Sequence, residues 1–282
     1  MRDLYRSPKY AGIYYPSEKD ELLNLLNKYF YKSYFDPKFK CEKLFKTKIF
    51  GFVVPHAAYE FSGSIAAQAY YQIADQDIDT FIIIAPDHHG IGNKISIQTD
   101  GMWETPLGII KINSGVASKI RMNSNKIDVN VIAHNLEHSI EIQLPFIQFY
   151  RKNQFTIVPI LVRDQSVETI RELGRSIAVS TNGENVITIA TSDFTHYESN
   201  DIAYIKDKEL IKTIVNLDID SFFRTIKDMN ISICGYGPIA ALLKAIKMQG
   251  AEKGTLLKYA TSGEIQLDFK NTVVGYCAIA FT

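Results

Sequence analysis

Six histidines, His56, His88, His89, His134, His138 and His196, are confined to positions 56 to 196 of a 282-residue chain. Three of the places they occupy directly follow short apolar runs: His56 in VVPHAAYEFSG, His88 and His89 in IIIAPDHHG, and His196 in ATSDFTHY. Neutral imidazole is the commonest side-chain metal ligand, and two imidazoles with an anionic partner and open positions form a recurrent catalytic metal arrangement. His56 and one of the His88/His89 pair could supply the imidazoles. A hydrogen-bonded loop histidine is the ordinary alternative for any one of them alone. Asp87 and Asp193 could ligate, orient a histidine or cap a turn, and capping is the default for a lone aspartate.

Cys234 stands in NISICGYGPIAALLKAI, just ahead of an amphipathic segment with Pro238 near its first turn, a favoured place for proline. A thiol there lies near the positive end of the helix dipole, which suits a metal ligand or a nucleophile. The competing reading is a small buried hydrophobe, the usual state of free cysteine. Cys277, inside VVGYCAIAF, is expected in the core, and Cys41, in FKCEKLF, carries no constellation. A Cys234/His196/Asp193 nucleophile set is conceivable. His134 and His138, in AHNLEHSIEIQLP, straddle a predicted helix start with Asn135 as N-cap. His138 and Glu141 could line the site, and Glu137 could equally be a solvated acid complementing the helix dipole. The spacing is not HExxH, and no GxGxxG, GxxxxGK[ST] or GxSxG motif occurs.

The elements that must bring these residues together follow from the apolar pattern. Lys48 to Pro55 and Thr80 to Ala85 are short branched runs, as in strands buried on both faces, with a helical segment from Ser64 to Ile73 between them. Phe155 to Val162, a helical Ser166 to Val179, and Asn185 to Thr191 repeat the arrangement. Lys94 to Thr99 and Gly108 to Ile112, on either side of the TPLG turn, predict an antiparallel excursion. Glu137 to Arg151 reads as a helix kinked at Pro145. Helical segments at Ile202 to Val215, Asp220 to Met229 and Tyr236 to Gln249 precede strands at Thr255 to Thr261 and Thr272 to Ala280. The expectation is a single α/β domain over residues 1–282, with a mainly parallel central sheet flanked by helices. Ligands of such sheets bind outside the carboxyl ends of the strands, where His56, His88 and His196 fall.

Composition narrows the function. The 31 Lys+Arg and 31 Asp+Glu balance, so there is no electrostatic footprint for nucleic acid. Three cysteines without a CxxC pair make neither a disulfide framework nor a structural zinc module. With no apolar leader and no run of about 18 apolar residues, the chain is expected to be cytoplasmic, with no membrane partner. A chain this long buries roughly 75 per cent of its unfolded surface, so a metal would serve function and not folding.

Taken together, PHAAYEFSG, APDHHG, EHSIEIQLPF, SDFTHY and ICGYGP resemble the motifs of the Memo family, whose archaeal and bacterial members are often called AmmeMemoRadiSam system protein B. The resemblance runs from SPKYAGIYYP to the last strand. It implies a fold like that of the class III extradiol dioxygenases, non-haem iron enzymes that cleave catechol-type rings. It also implies metal ligands at His56, His88 and Cys234, with His196 as acid/base and Asp193 beside it. Iron or copper is the implied ion, zinc being compatible, and a non-haem metal-dependent oxidoreductase of unassigned substrate is the implied activity. The dioxygenases complete their triad with a carboxylate, whereas Cys234 softens this site toward copper or zinc and adds an oxidisable ligand. Ring opening is therefore not inherited with the fold. The rival readings are a binding or assembly protein and a metal-activated hydrolase with His196 as base. The assembly protein would recognise a small molecule, a peptide, or the AMMECR-type and radical-SAM proteins to which the family name points. Tyr59, Trp103 and Tyr197 are candidates to stack on an aromatic ligand.

Overall fold

Every residue of Thr80–Pro86 (TFIIIAP) is buried, as a strand covered on both faces must be. In the computed structural model, which describes residues 4–35, 43–45, 47–151, 154–266 and 272–282, this strand lies inside one mixed sheet. Thr156–Val162 and Val186–Thr191 pair with it in parallel on either side, and Gly51–Val54 runs parallel beyond Val186–Thr191. Val273–Phe281 and Gly254–Thr261 extend that side in antiparallel fashion.

Two crossover helices, Tyr59–Tyr71 and Val167–Ser180, connect the parallel strands. Their crossovers run in opposite directions along the sheet, so right-handed connection puts the helices on opposite faces. Val167–Ser180 packs along Tyr236–Met248, which lies on Thr80–Pro86 and Val186–Thr191. The approach is close enough to require glycine at position 174, where a Cβ would stand 2.7 Å from the Ala241 carbonyl oxygen. The result is the expected α/β architecture around one hydrophobic core, with antiparallel strands at the margins. Among the described residues no helix is long and apolar enough to cross a membrane. Cys277 is fully buried, and Cys41 lies outside the described residues.

Two expectations are corrected. The strand opposite Gly108–Ile112 across the TPLG turn is Met102–Thr105, not Lys94 to Thr99. A two-residue loop pairs Thr105 with Gly108, and Trp103 and Thr105 alternate inward as one face of a hairpin. Ile95–Ile97 pairs instead with Ile127–Val129 and Thr156–Val162. Nor is Glu137 to Arg151 one helix. Helix Val131–Leu136 is capped by Asn130, whose Oδ1 accepts from Ala133 N at 3.0 Å, and the chain turns extended at Glu137. A 3-10 turn, Glu141–Gln143, then leads into helix Leu144–Tyr150. Pro145 sits in that helix's first turn, where its missing N–H costs nothing, so it opens a helix and kinks none.

Candidate metal centre

Strand Gly51–Val54 delivers His56 into the interior, where it is 2% exposed. Its Nδ1 lies 2.7 Å from Thr191 Oγ1, and its backbone N–H donates to Asp193 Oδ1 at 2.8 Å. Burial, reinforced by His88 and His138, holds the imidazole well below its ordinary range and therefore neutral. Nε2 stands 3.1 Å from Cys234 Sγ.

The turn after Thr80–Pro86 is tied by Asp87, whose two oxygens accept from Gly90 N at 2.9 Å and Gly92 N at 2.7 Å. Asp87 is thus a cap. Gly90 takes φ 64, a conformation glycine adopts without strain. His88 meets Glu137 Oε1 through Nδ1 at 2.9 Å and donates its backbone N–H to Oε2 at 2.9 Å. Burial pulls the His88 imidazole down, but Cys234 and Glu137 outweigh it and hold it up at about 10. Its side chain is still 31% exposed, so the cluster is open on this side.

His138, set on the extended stretch between two helices, brings its Nδ1 within 3.2 Å of the same Glu137 Oε1. Burial pushes its imidazole down to about 4 against the attraction of Glu137. Ring centroids of His56, His88 and His138 are 5.0 to 5.5 Å apart, and one donor atom from each lies within 4.8 Å of the others. Because all three Nδ1 atoms face an oxygen, Nε2 is the nitrogen of each ring that remains for a metal. A carboxylate behind ligating imidazoles fixes their tautomer and raises their basicity.

Glu137 is that carboxylate. Its side chain is 1% exposed and also accepts from Ser139 N at 3.0 Å and Ser139 Oγ at 2.8 Å. Burial opposes its charge, yet His88, His138 and the Ser139 amide hold it below the usual carboxylate range. It is not the solvated acid that a helix start would have made it.

Cys234 precedes helix Tyr236–Met248 and is half-buried; its Sγ accepts from Asp193 N at 3.3 Å. Asp193 touches no imidazole ring among the described contacts. It grips the His56 amide instead, and burial pushes its carboxyl up to about 6. The His196 Nδ1 faces the Ser232 carbonyl at 2.7 Å. A Cys234/His196/Asp193 relay is therefore not assembled, and the imidazoles beside the thiol are those of His56 and His88.

Glu141 does not line the site: it ion-pairs with Arg6 in the interior. His134 is fully buried with its ring nitrogens 2.7 Å from the Asn130 carbonyl and 3.2 Å from that of Pro159, and burial pushes it down to about 4. Tyr59 and Trp103 are buried, 2% and 0% exposed, and offer no face to a ligand. Tyr197 is 76% exposed beside His196 and takes φ 60, a left-handed conformation that is strained for tyrosine. Sequence reasoning overlooks Tyr14 and Tyr10, whose rings pack on His138 at 4.6 Å and 5.6 Å. It also withholds a ligand role from His138, because a helical reading of EHSIEIQLP turns attention to helix spacing.

A family model described as Memo-like protein matches residues 6–280. A MEMO1 family protein of Nitrosopumilus maritimus is 37% identical over 278 residues, covering 99% of this chain and 100% of its own length. Another, of Methanosarcina barkeri, is 41% identical over 276 residues, covering 97% of this chain and 98% of its own. Among solved structures, an uncharacterized protein from Escherichia coli K12 superposes with a TM-score of 0.53. The match covers 83% of this chain and 99% of that one, and at 11% identity it speaks to the fold alone.

Proposed function

The chain belongs to the Memo-like protein family, and from that premise we propose that it binds a single divalent or redox-active metal ion through His56, His88 and Cys234, with His138 as a fourth donor. The observation that supports this reading is the shared orientation of the donors. Three rings are tied down at Nδ1, and the Cys234 sulfur lies against Nε2 of His56. Imidazole and thiolate form a set suited to iron, copper or zinc, and the family resemblance favours iron or copper. When bound, such an ion would supply Lewis-acid or one-electron chemistry on the open side by His88. The protein's own part is to hold the donors and to manage protons. Asp193 fixes the His56 amide and, through its own N–H, the sulfur of Cys234. His196, engaged at Nδ1 by the Ser232 carbonyl, would hold or release a proton at Nε2. That free nitrogen equally favours a second reading, metal-activated hydrolysis with His196 as base.

Protein purified without added metal is expected to carry close to one equivalent of iron, copper or zinc by elemental analysis. His56→Ala and Cys234→Ser should each weaken binding by at least roughly tenfold, the smallest loss seen even for supporting groups. Metal-free wild type, or full occupancy in both variants, would defeat the proposal. In His138→Ala, a loss as large as in Cys234→Ser keeps the fourth donor, and unchanged occupancy removes it. Oxygen uptake with a catechol panel, set against hydrolysis of activated esters, separates the two chemistries.

Metal binding should also strengthen with pH. Without metal the His88 imidazole keeps its proton up to about 10, so the ion must displace it. Below that value each displaced proton makes affinity rise by up to about tenfold per pH unit. Calorimetric titrations at about pH 6, 7 and 8 check this, and a flat profile would mean that the ring is already neutral.

A further inference from the structure

One buried carboxylate lies outside the donor cluster and takes no part in holding a metal. Asp207 lies in helix Asn200–Val215 with no exposure to solvent. The partners it does have are uncharged. Oδ1 accepts from Thr195 Oγ1 at 2.6 Å and Thr195 N at 3.2 Å, and Oδ2 accepts from the Tyr259 hydroxyl at 2.7 Å. A buried carboxylate held by neutral donors is costly, and the fold retains it in a tight place: a Cβ on Gly275 would stand 2.1 Å from Oδ2.

The residue it grips is one step from His196. Thr195 is fixed on its other side too, its carbonyl accepting from Gly275 N at 2.9 Å, while Phe194 N donates to Gly275 O at 2.8 Å. His196 follows, donating its N–H to Ser232 Oγ at 2.8 Å and bringing Nδ1 to 2.7 Å from the Ser232 carbonyl. A carbonyl only accepts, so in the neutral ring that contact puts the proton on Nδ1 and the lone pair on Nε2. Tyr197, next in the short strand His196–Glu198 that pairs irregularly with Val273–Phe281, is in the left-handed region, so this backbone is held against strain.

We propose that Asp207 is a positioning residue for His196: by gripping the amide and hydroxyl of Thr195 it fixes the backbone that sets the His196 ring on the Ser232 carbonyl, and so selects the tautomer with a free Nε2. This rests on the reading of His196 as the proton-handling group of the site. Burial pushes the Asp207 carboxyl up, and the hydrogen bonds from Thr195 and Tyr259 oppose it.

The test is the nitrogen-15 NMR signature of the His196 ring, read in wild type, Asp207→Asn, Thr195→Val, Thr195→Ser and Tyr259→Phe, with zinc supplied as a diamagnetic ion. Wild type and Thr195→Ser, which keeps amide and hydroxyl, should show the Nδ1–H tautomer with a slowly exchanging ring proton. Asp207→Asn and Thr195→Val should show mixed tautomers or ring-proton exchange faster by roughly tenfold, at wild-type zinc occupancy. Tyr259→Phe leaves the grip on Thr195 intact and should resemble wild type, and Thr195→Val keeps the comparison decisive if Asp207→Asn does not fold. The proposal is overturned if Asp207→Asn or Thr195→Val keeps the wild-type signature, or if Thr195→Ser fails to restore it. A wild type that binds no metal would sink the metal reading alone, because the His196 signal is read with or without the ion.

Discussion

Glu137→Ala is expected to weaken metal binding by roughly 10- to 100-fold and to cost about 3 to 5 kcal/mol of folding stability, as removal of one partner from a buried charged network does. The carboxylate accepts from the His88 amide, from Ser139 N and from Ser139 Oγ, and it faces Nδ1 of both His88 and His138. Alanine leaves the two Ser139 donors buried with no acceptor, at about 1 to 3 kcal/mol for each, while the more exposed His88 amide can turn to water. It also frees two imidazoles to choose the wrong tautomer. Glu137→Gln preserves volume and one acceptor oxygen but turns an NH2 toward other donors, so it should fall between alanine and wild type. Because Glu137 is held below its ordinary range, its stabilisation is present above the unfolded carboxylate pKa and disappears as pH falls through the folded value. The stability gap between wild type and Glu137→Gln should therefore narrow on acidification below about pH 4. Urea unfolding at several pH values, with metal titration of the three proteins, checks both parts. Wild-type affinity in Glu137→Ala would mean that the rings are held by something else.

What the sequence discloses here is what local physics controls. A strand buried on both faces must be apolar throughout, so Thr80–Pro86, Thr156–Val162 and Val186–Thr191 are visible as continuous branched runs. Their carboxyl ends then place His56 and His88 in one crevice, and Cys234 is found there too, against His56. His138 is hidden for the opposite reason. The break at Glu137 that carries it into the cluster is tied by the His88 amide, 49 residues away, and by Arg6 on the Glu137 carbonyl, besides the local bonds from Ser139. EHSIEIQLP therefore passes for a helix until those partners are known. The same holds for Asp193: its neighbourhood in SDFTHY suggests a partner for His196, whereas its carboxylate serves the His56 amide, 137 residues away in sequence. Helices Lys19–Phe35 and Ser114–Met122 also escape the sequence reading.

Arg6 is a further contributor that local pattern hides, and Arg6→Met is expected to cost about 3 to 5 kcal/mol. It is 2% exposed, its guanidinium 4.2 Å from the Trp103 ring centroid. It ion-pairs with Glu141 and donates to the His134 carbonyl at 2.8 Å and the Glu137 carbonyl at 2.9 Å. Glu141 in turn accepts from Tyr10 N at 2.8 Å, Lys9 N at 3.2 Å and the Tyr15 hydroxyl at 2.7 Å. One buried pair thus fastens the N-terminal segment, with Tyr10 and Tyr14, to the stretch that presents Glu137 and His138. Methionine preserves much of the packing on Trp103 but strands a buried carboxylate, so the loss should exceed that of an apolar exchange of equal volume. Adding Glu141→Gln removes the stranded charge while leaving an oxygen for Tyr10 N or Tyr15, and the double variant should recover part of the loss. A coupling of about 1 kcal/mol or more between the two sites is expected from a double-mutant cycle. Metal affinity should fall in Arg6→Met as well, because the backbone carrying Glu137 loses its anchor while His56, Cys234 and their partners do not. A variant within about 0.5 kcal/mol of wild type in urea would mean that Trp103 packing alone holds the segment, and unchanged metal affinity would uncouple it from the donors.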